Sequence, residues 1–145
     1  MDPITKHAQV QGEMFEALAF FNQAVSLLSQ KKTEEYLKGV KKLFQKDIIG
    51  HLAFEESGVF PLVVNAGTLE EKRLIRSLQR DHINLLEKID QFEDLLGKAE
   101  SQALVALSRE IIELMLAHSR KEDRELFPLL KSIGCRVGKA KITCK

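Results

Sequence analysis

One pattern of thirteen residues occurs twice in this chain of 145 residues and restricts how the chain can fold. The pattern reads H-x-x-x-E-[ED]-x-x-[VL]-F-P-L-[VL] and covers residues 51–63 and 118–130. Residues four apart lie on one face of a helix, so each copy can present an imidazole and a carboxylate side by side. Two such pairs facing each other across a helical bundle would form a site for two metal ions.

The spacing of apolar residues predicts four long helices. The chain has three prolines and eight glycines, and no segment keeps up the two-residue alternation of a strand. The predicted helices cover roughly residues 2–30, 34–63, 69–98 and 102–133. The predicted caps are Asp2, Thr33, Thr68 with Glu71, and Ser101 at the N-termini, and Gly134 at the last C-terminus.

Amphipathic helices with short connections pack as a bundle. The fold class predicted is therefore all-α, an antiparallel up-down-up-down four-helix bundle over residues 1–134. Residues 135–145 are predicted to form a basic tail that contains both cysteines. In a chain of this size Cys135 and Cys144 are expected to be free thiols rather than a structural disulfide.

Composition and charge exclude several classes of partner. A net charge of +1 gives no reason to expect nucleic acid or an anionic membrane surface as a partner. No apolar run approaches the length of a membrane span, and the N-terminus lacks the apolar core of a signal peptide. The chain is expected to be a single cytoplasmic domain, monomeric or weakly dimeric.

All four histidines occupy positions where the helical pattern requires a core residue. They are distributed one to each predicted helix: His7, His51, His82 and His118. A single histidine on an apolar face is usually a hydrogen-bonded core residue. Here four of them are predicted to converge with two carboxylates, Glu55 and Glu122, and buried carboxylates are scarcely tolerated unless they are paired or coordinate a metal.

The donor types restrict the metal. Imidazole and carboxylate without thiolate suit iron, manganese or zinc. A structural zinc site usually has cysteines and four ligands, whereas six donors with two carboxylates fit two ions. Iron is the favoured occupant, with Glu55 and Glu122 placed to bridge two ions and with zinc or manganese as substitutes.

Three alternatives stay open at the sequence level. Asp123, five residues after His118, could replace or join Glu122 at the metal. Gln11 or Glu13 could take the place of His7, which lies close to the start of its helix. No role at the metal is expected for the other residues of the motif. Glu56 would be solvated, and so would Asp123 unless it binds the metal. Phe60 and Phe127 would pack in the core, and Pro61 and Pro128 would kink or end their helices.

Over about residues 3–132 the chain resembles the hemerythrin-like, or HHE cation-binding, domain in its bacterial stand-alone form. The resemblance rests on the doubled H-x-x-x-E followed by F-P, with one further histidine on each of the other two helices. It implies a four-helix bundle with two non-haem iron ions, bridged by carboxylates and by an oxo or hydroxo group. The ligands that it implies are His7, His51, Glu55, His82, His118 and Glu122.

The resemblance leaves the task of the site open. It implies binding or sensing of dioxygen or nitric oxide, or handling of iron. Leu86 stands where oxygen-carrying members have a further histidine, which argues against simple oxygen carriage. The alternatives are a di-iron enzyme, an iron–sulfur cluster repair factor, or a regulatory module that folds with its metal.

Overall fold

The structure, a computed structural model, describes residues 2–25 and 30–137, and almost all of these residues are helical. The part of the chain that it describes contains no strand, which confirms the all-α prediction. The four helices, in chain order, are α1 Pro3–Val25, α2 over residues 30–66, α3 Leu69–Leu95 and α4 over residues 101–137.

Helices α2 and α4 are continuous but contain wider, π-helical turns. In α2 the α-helical segments Gln30–Lys42, Ile49–Phe54 and Phe60–Ala66 are joined by π-helical turns at Leu43–Ile48 and Glu55–Val59. In α4 the segments Ser101–Lys121 and Phe127–Val137 are joined by a π-helical turn at Glu122–Leu126. Both copies of the repeated motif therefore contain a π-helical turn that begins at the motif's glutamate.

The prolines of the motif account for these two turns. Proline has no backbone N–H, and its ring collides with the carbonyl four residues earlier in a regular α-helix. A wider turn relieves the collision, and the backbone N–H of Phe60 donates to the Glu55 carbonyl, five residues back. Phe127 and Glu122 repeat this bond in α4. The helices widen before Pro61 and Pro128 and continue beyond them, rather than ending there.

Two of the predicted helix caps are confirmed. Asp2 Oδ1 accepts hydrogen bonds from the backbone N–H groups of Ile4 and Thr5, both at 3.0 Å. Thr68 and Glu71 form a capping box at the start of α3, because each side chain accepts a bond from the other's backbone N–H.

Other predicted boundaries are wrong. Thr33 lies inside α2, which is helical from Gln30, and Ser101 is the first residue of α4 rather than its cap. Gly134 lies inside α4, whose apolar packing continues through Ile133 and carries the helix on to Val137. The division between a bundle and a tail at residue 134 stays a prediction, since residues 138–145 lie outside the described residues.

The expectation that the cysteines are free thiols is wrong for Cys135, the cysteine that lies within the described residues. Cys135 is disulfide-bonded. The expectation of a free thiol rested on the assumed cellular compartment, whereas pairing depends on how close two thiols lie in the folded chain. The sequence has one other cysteine, Cys144, which lies outside the described residues.

The turn between α2 and α3 requires a glycine. The N–H of Gly67 donates to the Val63 carbonyl at 2.6 Å, which draws the chain tightly against the end of α2. A Cβ atom at position 67 would lie 2.5 Å from that carbonyl oxygen. Any other residue would force the turn open, so Gly67 fixes the close connection of two antiparallel helices.

The core consists of two apolar clusters with a polar layer between them. The Leu18 cluster comprises Met14, Leu18, Tyr36, Leu37, Val40, Leu43, Phe44, Ile48, Leu52, Leu85, Ile89, Phe92, Leu104, Ile111, Ile112, Met115 and Leu116. The Val63 cluster comprises Ile4, Val59, Phe60, Val63, Ile75, Leu78, Leu126, Leu130 and Ile133.

The order of these clusters along each helix shows the up-down topology. Helix α1 runs from Ile4 in the Val63 cluster, past His7, to Leu18 in the other cluster. Helix α2 runs the opposite way, from the Leu18 cluster past His51 to the Val63 cluster. Helix α3 repeats the direction of α1, and α4 that of α2. None of the helices within the described residues has a stretch long and apolar enough to cross a membrane.

We expect replacement of Phe92 by alanine to lower the free energy of unfolding of the metal-free protein by about 3–5 kcal/mol. Phe92 is fully buried in the Leu18 cluster and packs edge-on against Phe44 at a ring distance of 5.1 Å. Urea denaturation followed by circular dichroism measures the change.

Phe20→Ala is the matched control, because Phe20 is 65% exposed on α1. We expect it to cost less than about 1 kcal/mol. Equal losses for the two variants would contradict the position of the Leu18 cluster.

Candidate metal centre

The six residues predicted from the sequence meet in the polar layer between the two clusters. Each of them is at most 3% exposed: His7, His51, Glu55, His82, His118 and Glu122. Each helix contributes one histidine, and α2 and α4 each add the glutamate that begins a π-helical turn. The repeated motif therefore delivers its two imidazole–carboxylate pairs to one place.

Glu55 lies among all four imidazoles. Its Oε2 is 2.7 Å from Nε2 of His7. Its Oε1 is 3.5 Å from Nε2 of His51 and 3.1 Å from Nε2 of His82. Nε2 of His118 lies further away, 3.9 Å from the same oxygen. The Glu55 carboxylate therefore lies close to the histidines of both copies of the repeated motif, as well as to those of α1 and α3.

Glu122 lies beside Glu55 and spans the layer in the same way. Its Oε1 is 3.2 Å from Nε2 of His118, and its Oε2 is 3.7 Å from Nε2 of His7. The amide nitrogen of Gln11 reaches the Ser119 carbonyl at 3.1 Å and Glu122 Oε1 at 3.4 Å. Gln11 thereby ties α1 to α4 at the level of the site.

The donor atoms divide into two overlapping sets, each of which has its potential ligand atoms within 4.8 Å of one another. One set, the His7 half, contains His7, His51, Glu55 and Glu122. The other set, the His82 half, contains His82, His118 and the same two glutamates. Both carboxylates belong to both halves, which is the arrangement that two adjacent metal ions with bridging carboxylates require.

Several potential ligand atoms of the site have no hydrogen-bond partner among the described residues. His51 Nε2, Glu55 Oε1 and Glu122 Oε2 are buried without a hydrogen bond from the described residues. An unsatisfied buried polar group costs about 1–3 kcal/mol, and more if it is charged. Cations in this layer would satisfy all three atoms at once, so the residues present fit a metal centre.

The electrostatics favour the protonation states that a metal needs. Burial raises the pKa of Glu55, but His118, His7 and His82 outweigh it and hold the pKa of that carboxyl well below its usual range. Burial also lowers the pKa of His51 to about 4, although Glu55 acts in the opposite direction. At neutral pH Glu55 is a carboxylate and His51 a neutral imidazole, and both forms can bind a cation.

Two acidic side chains that sequence analysis did not assign to the site contact its imidazoles from outside. Glu56 Oε1 lies 2.9 Å from Nδ1 of His82, and Asp81 Oδ2 lies 3.1 Å from Nδ1 of His118. Glu56 is exposed as predicted, with a side chain 40% exposed, and it has this contact to His82 in addition. Both residues sit next to a site residue in the sequence, but only the packing of neighbouring helices brings them to these rings.

The other half of the site adjoins a cavity. His7 and His51 stack at a ring distance of 5.4 Å, and neither Nδ1 has a partner among the described residues. A cavity of about 320 Å³ reaches His7 from the surface. Its lining residues are His7, Ala8, Gln11, Gly12, Phe15, Asp123 and Phe127.

The two phenylalanines of the repeat differ. Phe60 is buried as predicted and stacks on the ring of His82 at 5.2 Å. Phe127 is only half-buried, because it lies at the wall of the cavity rather than in the core. The prediction of a core position is therefore wrong for Phe127.

The structure bears on the alternatives left by the sequence. Asp123 is exposed, whereas Glu122 is fully buried among the imidazoles. Gln11 joins the site beside His7 rather than replacing it, and Glu13 is exposed and bonded to Gln9 at 3.2 Å.

Leu86 lies four residues after His82 on α3. Its side chain is 37% exposed, whereas Leu78 and Leu85, one turn away from His82 on either side, are buried. The expectation that leucine at this position leaves an open ligand position stays a prediction.

Fold and site together define a helical-bundle metal-binding protein. The family of the hemerythrin HHE cation binding domain matches residues 8–130, and the chain belongs to this family. The match includes five of the six site residues, while His7 lies one position before it. No curated protein and no solved structure matches the chain.

We expect the metal-free protein to lose stability as the pH falls from about 7 to 4. His51 has an ordinary pKa of about 6.5 when unfolded and about 4 when folded. Its contribution is complete above pH 6.5 and disappears as the pH falls through 4, with a size of about 3 kcal/mol. Glu55, whose folded pKa is lowered, adds a loss below about pH 4.5.

Urea denaturation at several pH values measures this dependence. In His51→Gln the amide does not titrate, so the slope between pH 6.5 and 4.5 should become shallower than in the unaltered chain. An unchanged slope in that variant would show that His51 is not held neutral by burial.

Proposed function

We propose that this chain holds two non-haem iron ions, one in each half of the site, and binds or senses dioxygen or nitric oxide. The observation that carries the proposal is that Glu55 and Glu122 each belong to both donor sets. His7 and His51 would hold one ion, His82 and His118 the other, and the two glutamates would bridge them. This ligand assignment is the one that the repeated motif predicts.

The donor chemistry supports iron. Imidazole and carboxylate suit iron, manganese and zinc, and no thiol lies within the described site. Hemerythrin-like domains in general bind small gas ligands. The bound ions would supply redox chemistry and an open coordination position. The protein's part is to hold six donors in place, and its two apolar clusters exclude bulk water above and below them.

The cavity beside His7 supports access for a small molecule. Ala8, Phe15 and Phe127 give its wall an apolar character, and His7 and Gln11 lie at its inner end. An uncharged diatomic molecule can cross such a surface without losing strong hydrogen bonds to water. We therefore propose this cavity as the route to the metal centre, in a cytoplasmic protein that is monomeric or weakly dimeric.

Anaerobic reconstitution with iron(II) followed by controlled oxidation tests the proposal. We expect two iron ions per chain and near-ultraviolet charge-transfer absorption that changes with azide, nitric oxide or dioxygen. Two bound irons without a response to any of these would leave the metal site intact and exclude gas binding.

We expect Glu122→Gln to reduce the bound iron from two ions per chain to one or none. A neutral amide cannot act as a bridging carboxylate, and the variant loses a negative charge between two cations. Metal analysis of the reconstituted protein gives the number. Asp123→Asn is the matched control, because Asp123 is the exposed neighbour, and it should keep two ions. If only Asp123→Asn lost iron, the bridging role would belong to Asp123.

A second function, regulation through metal-dependent stability, is favoured by the unpartnered donor atoms of the site. Without metal the bundle buries at least three such atoms, so metal binding and folding are coupled. We expect removal of the metal by a chelator to lower the free energy of unfolding by at least about 3 kcal/mol. An unchanged denaturation curve after complete metal removal would exclude this role.

A further inference from the structure

We propose that the two metal positions are not equivalent, and that Glu56 and Asp81 make the position in the His82 half the tighter one. This inference rests on the proposed two-metal function. Glu56 and Asp81 act as positioning residues, because they contact the Nδ1 atoms of the imidazoles and not the Nε2 atoms that would face a metal. The His7 half has no such residues within the described structure.

Both imidazoles of the His82 half are held from behind by a carboxylate. Glu56 accepts at 2.9 Å from Nδ1 of His82, and Asp81 accepts at 3.1 Å from Nδ1 of His118. A carboxylate at Nδ1 selects the tautomer that carries its proton there and leaves the Nε2 lone pair free. It also fixes the plane of the ring.

The two carboxylates are themselves fixed. The amide of Gln79 donates to Glu56 at 3.0 Å, and the ammonium group of Lys121 lies 3.4 Å from Asp81. Lys121 also donates to Ser77, which places it between α3 and α4. Each carboxylate therefore holds its imidazole in one orientation, although both are partly exposed.

The contacts at Nδ1 bear on the opposite nitrogens of the two rings, the Nε2 atoms, which would face a metal. Nε2 of His82 and Nε2 of His118 lie 3.1 Å apart. If both rings carry their proton on Nδ1, the two Nε2 lone pairs face each other at this distance, and a cation in contact with both would satisfy them. The His82 half is therefore arranged for a cation before any metal arrives, and little ordering remains to be done on binding.

The His7 half differs although the repeat suggests symmetry. Asp123 follows Glu122 as Glu56 follows Glu55, and it lies at the cavity that reaches His7. Nevertheless Nδ1 of His7 has no hydrogen-bond partner among the described residues. Aspartate is one methylene shorter than glutamate, and Asp123 is exposed. Within the described residues, no carboxylate therefore holds the Nδ1 side of either imidazole in this half, and His7 is held instead at Nε2, 2.7 Å from Glu55 Oε2.

Stepwise titration of the metal-free full-length protein with Zn²⁺, in competition with a chromophoric chelator, tests the proposal. We expect two binding steps separated by at least about tenfold in affinity. Asp81→Asn and Glu56→Gln should each weaken the first step about 10- to 100-fold. Asp123→Asn, which removes the same charge from the equivalent side of the other half, should leave the first step unchanged.

A spectroscopic measurement separates positioning from general stability. Nitrogen-15 NMR of the metal-free protein should show His82 and His118 protonated at Nδ1. Asp81→Asn should change the signals of His118 while the helical circular dichroism signal stays the same. Substitution by Asp81→Glu, which restores a carboxylate, should recover more of the first-step affinity than Asp81→Asn.

The possible outcomes distinguish the two proposals. Binding of one Zn²⁺ or none by the unaltered chain would contradict the two-metal function itself. Two steps of equal affinity, or an equal effect of Asp123→Asn and Asp81→Asn on the first step, would overturn the inequivalence alone. A variant that loses its helical signal without metal would also overturn it, because the carboxylates would then be needed for folding.

Discussion

The structure depends on the burial of two carboxylates among four imidazoles inside an otherwise apolar bundle. Glu55 and Glu122 have no exposed surface, and such groups are tolerated only when cations or hydrogen-bond donors surround them. The imidazoles meet part of this requirement, and several buried oxygen and nitrogen atoms of the site have no hydrogen-bond partner in the described part of the chain. All four helices must therefore bring a histidine to the same level, which fixes their register. The polar layer divides the core into the Leu18 cluster and the Val63 cluster, and each helix crosses from one to the other.

The repeated motif links this register to the backbone. A histidine and a glutamate four residues apart share a face of a regular α-helix. The proline six residues after the glutamate changes the helical turn that lies between the glutamate and the proline. The missing N–H and the proline ring widen the helix at Glu55–Val59 and again at Glu122–Leu126. Widened turns are common at functional sites, where they change the direction of side chains without ending the helix. Phe-Pro is thus part of how each glutamate is presented, beyond the packing role that the sequence suggested.

The features that could be predicted from the sequence are those that depend on interactions between residues close together in the chain. Apolar spacing predicted four helices, each with one histidine on its inward face. In the structure all six predicted site residues lie together. The ends of helices were less predictable, since Thr33 and Gly134 have the chemistry of caps but lie inside helices that packing extends. Glu56 and Asp81 were missed because their contacts cross between helices, and the rotation of one helix against the next leaves no periodic signal in the sequence.

The two copies of the repeated motif occupy unequal surroundings in the site. The sixth position is glutamate in one copy and aspartate in the other, and Glu56 reaches His82 whereas Nδ1 of His7 has no hydrogen-bond partner among the described residues. Phe60 closes the His82 half by stacking on its ring, whereas Phe127 lines the cavity at the other half. The half whose imidazoles are held at Nδ1 is covered by an aromatic ring, and the half whose Nδ1 atoms have no partner among the described residues adjoins the cavity. On the proposed function, a small ligand that enters through the cavity would meet the His7 half first, while the His82 half would hold its metal and the two carboxylates in position.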